Sequence, residues 1–261
     1  MAKSFWKGVI SFGIVIIPVR MYVATHIKPV SFRVLHKKCL TRPHEEWYCE
    51  KDDEYFTSDD TVKGYEYSKE QFVVMDENDF EKVPVATAHS VDIMSFVEAS
   101  EVDPVYYQNS YYLEPEDIGA KPYALLREVL VKTKRVGIAK VSFQKREHLC
   151  TLRPIGDVLA LHTMYYHDEV LATDELNAPK QAVTAAELSL AETLVKALEK
   201  PFTPDKYKDD YRDALKKVVD AKLKGVELKE TKTPKSVESV DLMKALRESL
   251  DTVRKREKVA V

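Results

Sequence analysis

Residues 135–166 read RVGIAKVSFQKREHLCTLRPIGDVLALHTMYY. Three runs rich in β-branched and apolar residues, RVGIAKVSF, EHLCTLRP and DVLALHTMYY, follow one another with only short gaps. Such spacing predicts three antiparallel strands in a meander. Lys140 is read onto the face opposite Ile138, Lys145 and Arg146 into a turn, and Arg153 onto the end of the next strand. Lys132, Lys134 and Arg135 lead in from a predicted helix, KPYALLREVLVKT, which carries Pro122 in its first turn. A row of cations on one sheet face, without compensating acids, suits phosphate contacts and carries no sequence code.

Working outward, GVISFGIVIIPV (8–19) follows Lys3 and Lys7 and imitates a secretory leader. Gly13 and Pro18 break it, no small-residue cleavage motif follows, and it falls short of the roughly 20 residues that span a bilayer. Two buried strands are expected instead. VRMYVAT alternates Val19, Met21 and Val23 against Arg20, Tyr22 and Ala24, the period of a half-buried strand. VSFRVLH (30–36) repeats the pattern, with Val30, Phe32 and Val34 on one face and Arg33 on the other. QFVVMD and HSVDIMSFV are further strand candidates. VYYQNSYYLEP (105–115) reads as an aromatic hairpin turning near Asn109 and Ser110. Many short strands with few helices before residue 175 favour a β-barrel, and the fold class is mixed α+β, mainly β.

The net charge of −3 conceals a sorted distribution. Residues 1–44 carry 8 Lys+Arg and no Asp or Glu, residues 45–120 carry 4 against 21, and residues 121–153 carry 9 against 2. Sorted charge makes basic and acidic surfaces on one molecule, and basic surfaces focus polyanions. The alternative is that the blocks neutralise each other across the fold.

Composition excludes several classes. With 7 glycines in 261 residues and neither a G-x-G-x-x-G nor a Walker motif, nucleotide hydrolysis is not expected. The 3 cysteines are too few and scattered for a disulfide scaffold and suit a reducing cytoplasm. No helix-turn-helix or zinc-finger spacing argues for base readout.

Beyond residue 175 the chain turns helical. Thr184 and Glu187 form a capping box before an apolar face of Leu188, Leu194, Val195 and Leu198. KDDYRDALKKVVDAKLKG is a second helix ended by Gly225. VELKETKTPKSVES reads as a linker, and VDLMKALRESLDTVRKREK places Val240, Met243, Leu246, Leu250 and Val253 on one stripe of a last helix. That stripe is offered to a partner or docks on its own domain.

These residues carry a resemblance. FWKGVISFGIVIIPVRMYVAT, VSFRVLHKKC, VKGYEY, YYLEPE with KPYALLREVL, VGIAKVSFQKREHL with LRP, and VLALHTMYY with DEV occur in this order. Together they resemble bacterial Ku, the DNA-end-binding protein of non-homologous end joining, from Ala2 to Gly225. The resemblance implies a Ku-like β-barrel core with helical arms and an obligate homodimer forming a ring that threads onto a double-stranded end. It also implies a C-terminal segment that engages an ATP-dependent DNA ligase. The expected organisation is a core over 1–225, a linker over 226–238 and a ligase-interacting helix over 239–261.

Under this reading Arg20, Lys28, Arg33, Lys37, Lys38, Lys132, Lys134, Arg135, Lys140, Lys145, Arg146 and Arg153 contact phosphates. Val240, Met243, Leu246, Leu250 and Val253 contact the ligase. The protein is expected to be a non-enzyme without cofactor, metal or membrane partner, acting at the nucleoid. Cys39 and Cys49 with His36 and His44 make half a zinc site. Asp52 stands where the resemblance would put a further cysteine, so no zinc is expected. The acids of KDDE (51–54) and SDD (58–60) are read as a solvated surface rather than a two-metal centre. His162 is read as a packed strand residue, and Cys150 as an inert thiol in an apolar strand. The rival class is a metal-dependent nuclease or an abasic-site lyase, for which no particular lysine stands out.

Overall fold

Residues 3–83, 89–144, 146–177, 181–226 and 242–259 are described by the structure, a computed structural model. The strands are β1 (Trp6–Phe12), β2 (Val15–Val23), β3 (Trp47–Cys49), β4 (Glu54–Phe56), β5 (Lys63–Ser68), β6 (Gln71–Met75), β7 (Ser90–Glu98), β8 (Tyr107–Pro115), β9 (Arg135–Phe143), β10 (Arg146–Ile155) and β11 (Val158–Met164). The helices are α1 (Glu77–Glu81), α2 (Ala120–Thr133), α3 (Ala185–Leu198), α4 (Asp210–Leu223) and α5 (Leu242–Val259). The chain divides into two compact units, Met1–Lys28 with Arg33–Ala172, and Pro29–Phe32 with Thr173–Val261.

In the first unit seven strands close into a barrel in the order β1-β2-β8-β11-β10-β9-β7. The expected meander is β9-β10-β11, antiparallel throughout. Its inward residues are Ala139 and Val141, Cys150 and Leu152, Leu159 and Leu161, all fully buried. Ile10, Ile17, Val19, Met21, Val91 and Leu113 complete the same core. Each large aliphatic side chain so buried contributes about 1.5–3 kcal/mol. Two of the tight connections need a left-handed residue, and Gly13 (φ 61°) and Gly156 (φ 55°) supply it without strain.

Helix α2 contributes Tyr123, Leu126 and Leu130, three and four residues apart on one face, to the barrel core. The Tyr123 hydroxyl donates to the Leu113 carbonyl at 2.5 Å and accepts from the Leu159 N–H at 2.6 Å. Leu113 and Leu159 are register partners on β8 and β11. One phenol thus ties the helix to two strands.

Three strand readings are corrected. VSFRVLH is not a strand: its residues belong to no sheet, and Phe32 and Val34 are 67% and 79% exposed. Its alternation is genuine, but the described chain brings no sheet edge to it. VYYQNSYYLEP is not a hairpin. Asn109 and Ser110 lie inside β8, which pairs with β2 on one side and β11 on the other. Neither residue is a glycine, and both edges of the strand find partners, so the chain runs straight through. Lys140 and Ile138 share one face, as residues two apart in a strand must, since Ile138 faces Thr151 and Lys140 faces Leu149. The candidate QFVVMD forms β6, paired only with β5 in a small separate sheet.

In the second unit the capping box is present: the Glu187 N–H donates to Thr184 Oγ1 at 3.3 Å and the Thr184 N–H to Glu187 Oε2 at 2.7 Å. The Asp209 carboxylate accepts from the Arg212 N–H at 2.9 Å to open α4, and Gly225 (φ 68°) follows its end. Helix α3 packs against α5. Its covered positions are Leu190, Ala191, Leu194 and Ala197, whereas Leu188, Val195 and Leu198 of the predicted apolar face are exposed. No helix among the described residues is long and apolar enough to cross a membrane.

Replacing Tyr123 by Phe leaves a buried carbonyl and a buried N–H without their shared partner. The expected loss is about 1–3 kcal/mol in urea unfolding, and a midpoint equal to that of the original chain would show that the hydroxyl bridge carries no stability.

Candidate nucleic-acid interface

The sorted charge of the sequence meets its opposite on the barrel. Glu116, at the end of β8, receives Lys7 at 2.8 Å and Arg20 at 3.3 Å. Lys7 and Arg20 are themselves neighbours across the β1–β2 ladder. The Lys7 ammonium, as hydrogen-bond donor, holds the Glu116 carboxyl below its ordinary range. Lys140 is bonded to Glu147 at 2.8 Å, and that contact raises its pKa. Arg135 at the start of β9 meets Glu98 at 3.1 Å and Glu101 at 3.8 Å, because Glu98 is its register partner on β7. Arg146 is bonded to Glu169 just beyond β11. The Tyr166 N–H and then Arg146 lower the pKa of Glu169.

The expectation of a cation row without compensating acids is therefore corrected for the barrel. Glu98, Glu101 and Glu116 come from the acidic 45–120 block, Glu169 from the turn beyond β11 and Glu147 from within the basic block itself, and only the fold shows which cation each reaches. Exposed pairs of this kind are worth little, about 0–1 kcal/mol, so they can exchange a carboxylate for a phosphate. They nonetheless weaken the net field.

A second group of the predicted cations forms no ion pair among the described residues: Lys28, Arg33, Lys37, Lys38, Lys132, Lys134 and Arg153. Lys132 and Lys134 sit where α2 ends, Lys134 in a left-handed conformation (φ 55°). The other cluster is Lys28, Arg33, Lys37 and Lys38, all exposed on the unpaired segment 24–46. Arg42 belongs with them and was missed, though the same acid-free run contains it. Lys7 was missed too, because its partner across the hairpin becomes visible only with the register. Lys145 lies outside the described residues, as does Val240 of the apolar stripe.

Segment 24–46 also exposes Ile27, Phe32, Val34 and Leu40, and the hairpins after it expose aromatic rings. Trp47, Tyr48 and Tyr55 stand out on β3–β4, and Tyr65, Tyr67 and Phe72 on β5–β6. Tyr65, Tyr67, Val73, Met75 and Phe80 line an open apolar hollow of about 550 Å³ with Lys63 at its rim. The acids predicted as a solvated surface hold turns. Asp53 accepts from the Tyr48 hydroxyl at 2.6 Å, and Asp60 from the Thr57 N–H at 3.1 Å.

His162 is half-buried: Ser110 Oγ lies 2.8 Å from its Nδ1, and its Nε2 has no hydrogen-bond partner. Burial lowers its pKa, so it is a neutral packed residue at neutral pH. The thiols differ sharply. Cys150 is fully buried and its pKa is pushed far up. Cys39 is exposed on a turn, 2.8 Å from Thr41 Oγ1 and 3.0 Å from His36 Nδ1. Those contacts, Thr41 first, lower its pKa to about 7. Cys49 donates to Asp52 at 3.3 Å. No three His, Cys, Asp or Glu side chains among the described residues converge to hold a metal.

Comparison with known proteins places this arrangement. The family model described as the Ku70/Ku80 beta-barrel domain matches residues 11–190. The Non-homologous end joining protein Ku of Solibacter usitatus is 39% identical over 258 residues, covering 99% of this chain and 97% of that protein. The protein of the same name from Koribacter versatilis is 40% identical over 261 residues, covering 99% of this chain and 89% of its own. Among solved structures, the SPOC domain of human PHD-finger protein 3 aligns with 62% of this chain and 95% of its own length at a TM-score of 0.32 and 14% identity, too slight a likeness to bear on the argument.

The thiol chemistry is directly measurable. Iodoacetamide should label Cys39 first, its rate rising with pH through a midpoint near 7 as the thiolate forms. Thr41→Val should move that midpoint upward. Cys150 should react only in denaturant, and labelling of Cys150 at the rate of Cys39 in native protein would contradict the burial.

Proposed function

The chain belongs to the Ku family of non-homologous end-joining proteins, and from that premise we propose that it binds double-stranded DNA ends as a homodimer. The observation that carries the site is segment 24–46. It is the long exposed stretch whose cations, Lys28, Arg33, Lys37, Lys38 and Arg42, meet no acid among the described residues. Phosphates are attracted there without first displacing a carboxylate, and backbone contacts of this kind carry no base preference. Lys132, Lys134, Lys145 and Arg153 extend the contact, and Arg20, Arg135, Lys140 and Arg146 contribute after their acids let go.

A second copy of the chain accounts for the apolar surface. Phe32, Val34, the hairpin aromatics and the outer side of α3 each leave large apolar groups in water, surface of the kind that a partner covers. Covering them with a partner protomer completes a ring around the duplex and gives VSFRVLH the packing that its alternation anticipates. The ring slides onto ends and is excluded from closed circles. The α5 helix recruits an ATP-dependent DNA ligase through Met243, Leu246, Leu250 and Val253, with Val240 extending the stripe. The chain binds and recruits rather than catalyses, and it works on DNA in the bacterial nucleoid without a cofactor.

The test is a gel shift of a linear duplex of a few tens of base pairs against the same duplex circularised. Tight binding to the linear form alone is expected, and equal binding to both would refute end threading. Changing Lys28, Arg33, Lys37 and Lys38 to Glu should weaken binding by more than tenfold. It should also flatten the salt dependence, at about 0.9 in log–log slope per lost phosphate contact. Lys140→Glu with Arg146→Glu should cost less, because each of those cations already has an acid. Prolonged incubation with Mg²⁺ or with an abasic duplex should leave the strands uncut; cleavage would favour the nuclease or lyase reading.

A further inference from the structure

The apolar stripe of α5 is already occupied. Met243, Leu246 and Val253 are half-covered, and Leu250 is 6% exposed. Leu250 is the one buried hydrophobic side chain among the described residues beyond Met164. The element packed against α5 is α3, whose covered side repeats at helical spacing through Leu190, Ala191, Leu194 and Ala197. Two apolar stripes face each other within one unit. A ligase can take the α5 stripe only after α3 has let it go.

We infer that α3 is a built-in competitor for the α5 stripe, holding the tail docked until the partner displaces it. The inference rests on the recruitment reading of α5 and adds the state from which recruitment begins. The chain itself permits the exchange. Residues 224–241 join α4 to α5, and 18 residues could reach up to about 60 Å if extended. The helix can therefore leave α3 while α4 stays in place. An 18-residue helix of this polarity is marginal in water alone, so it favours one apolar groove or another over freedom. Docking on α3 reduces the apparent affinity for a partner by the fraction of molecules released. It also hides an exposed aliphatic stripe until the partner arrives.

Two measurements test this, one of them independent of any ligase. In hydrogen exchange on the full chain, the amides of residues 243–253 should be protected. Leu190→Asp with Leu194→Asp, which charges the α3 side, should speed their exchange by at least about tenfold while DNA-end binding persists. Unprotected amides in the original chain would overturn the docking.

In the second measurement, the ATP-dependent ligase of the same bacterium is titrated into a labelled peptide of residues 239–261 and into the full protein. The peptide should bind on the order of tenfold more tightly, and the double variant should move the full protein toward the peptide. Equal affinities for peptide and full protein would overturn the competition. A peptide that does not bind, with α5 protected in the full chain, would instead refute recruitment through α5 and make the α3–α5 contact a permanent part of the fold. The peptide comparison needs no variant, so it stands even if the charged α3 fails to fold.

Discussion

Closure of the barrel is the constraint from which the rest follows. It is made by three register pairs, Val9 with Ser90, Ile10 with Val91 and Ser11 with Asp92, the single parallel contact in an otherwise antiparallel ring. Without it the seven strands would form an open sheet with two bare edges, and inward residues near those edges would meet water. With it, every barrel strand has a neighbour on each side and one set of alternate residues is sealed from solvent. The outward set then decides which charges face which. Glu98 meets Arg135 because β7 lies beside β9, and Glu116 reaches Arg20 because β8 lies beside β2.

Much of that barrel was legible in the sequence. The meander declared itself through three runs rich in β-branched and apolar residues separated by short gaps, and α2 through Pro122 at the first turn of KPYALLREVLVKT. The order of the strands was not legible. Nothing local in SVDIMSFV tells that it pairs with the first strand of the chain, and nothing in the Asn109–Ser110 stretch shows that both its edges are taken. The failure at VSFRVLH has a different cause. An alternating pattern reports that one face will be buried, and it is silent about which molecule buries it. In this chain Val30 is half-covered, while Phe32 and Val34 on the same face stay exposed among the described residues.

The candidate interface divides along the same line. Lys28, Arg33, Lys37 and Lys38 were read from an acid-free run, and among the described residues they meet no acid because their segment leaves the sheet. Lys140 and Arg146 were found from the same kind of count, but the β9–β10 hairpin brings Glu147 to Lys140 and the turn beyond β11 brings Glu169 to Arg146. Counting charge by segment therefore works where the chain is extended and fails where it is woven. The α5 stripe shows a related ambiguity. Helical spacing identified the apolar face, yet that face fits α3 as well as it would fit a partner.

The place of β1 in the ring has a consequence for synthesis. Of the barrel strands, β1 and β2 are made first and are adjacent in the chain, but their register partners on the outer edges of that hairpin, in β7 and β8, lie 81 to 96 residues further along. Contacts so distant in sequence form late. During that interval one of the most apolar stretches of the protein, GVISFGIVIIPV, has two unpaired edges available to any other nascent chain. Pro18 within β2 withholds a backbone donor from such pairing, and Lys7 and Arg20 add like charge beside it. Side chains that meet Glu116 in the finished protein thus also guard the hairpin from aggregation while the remaining strands are made.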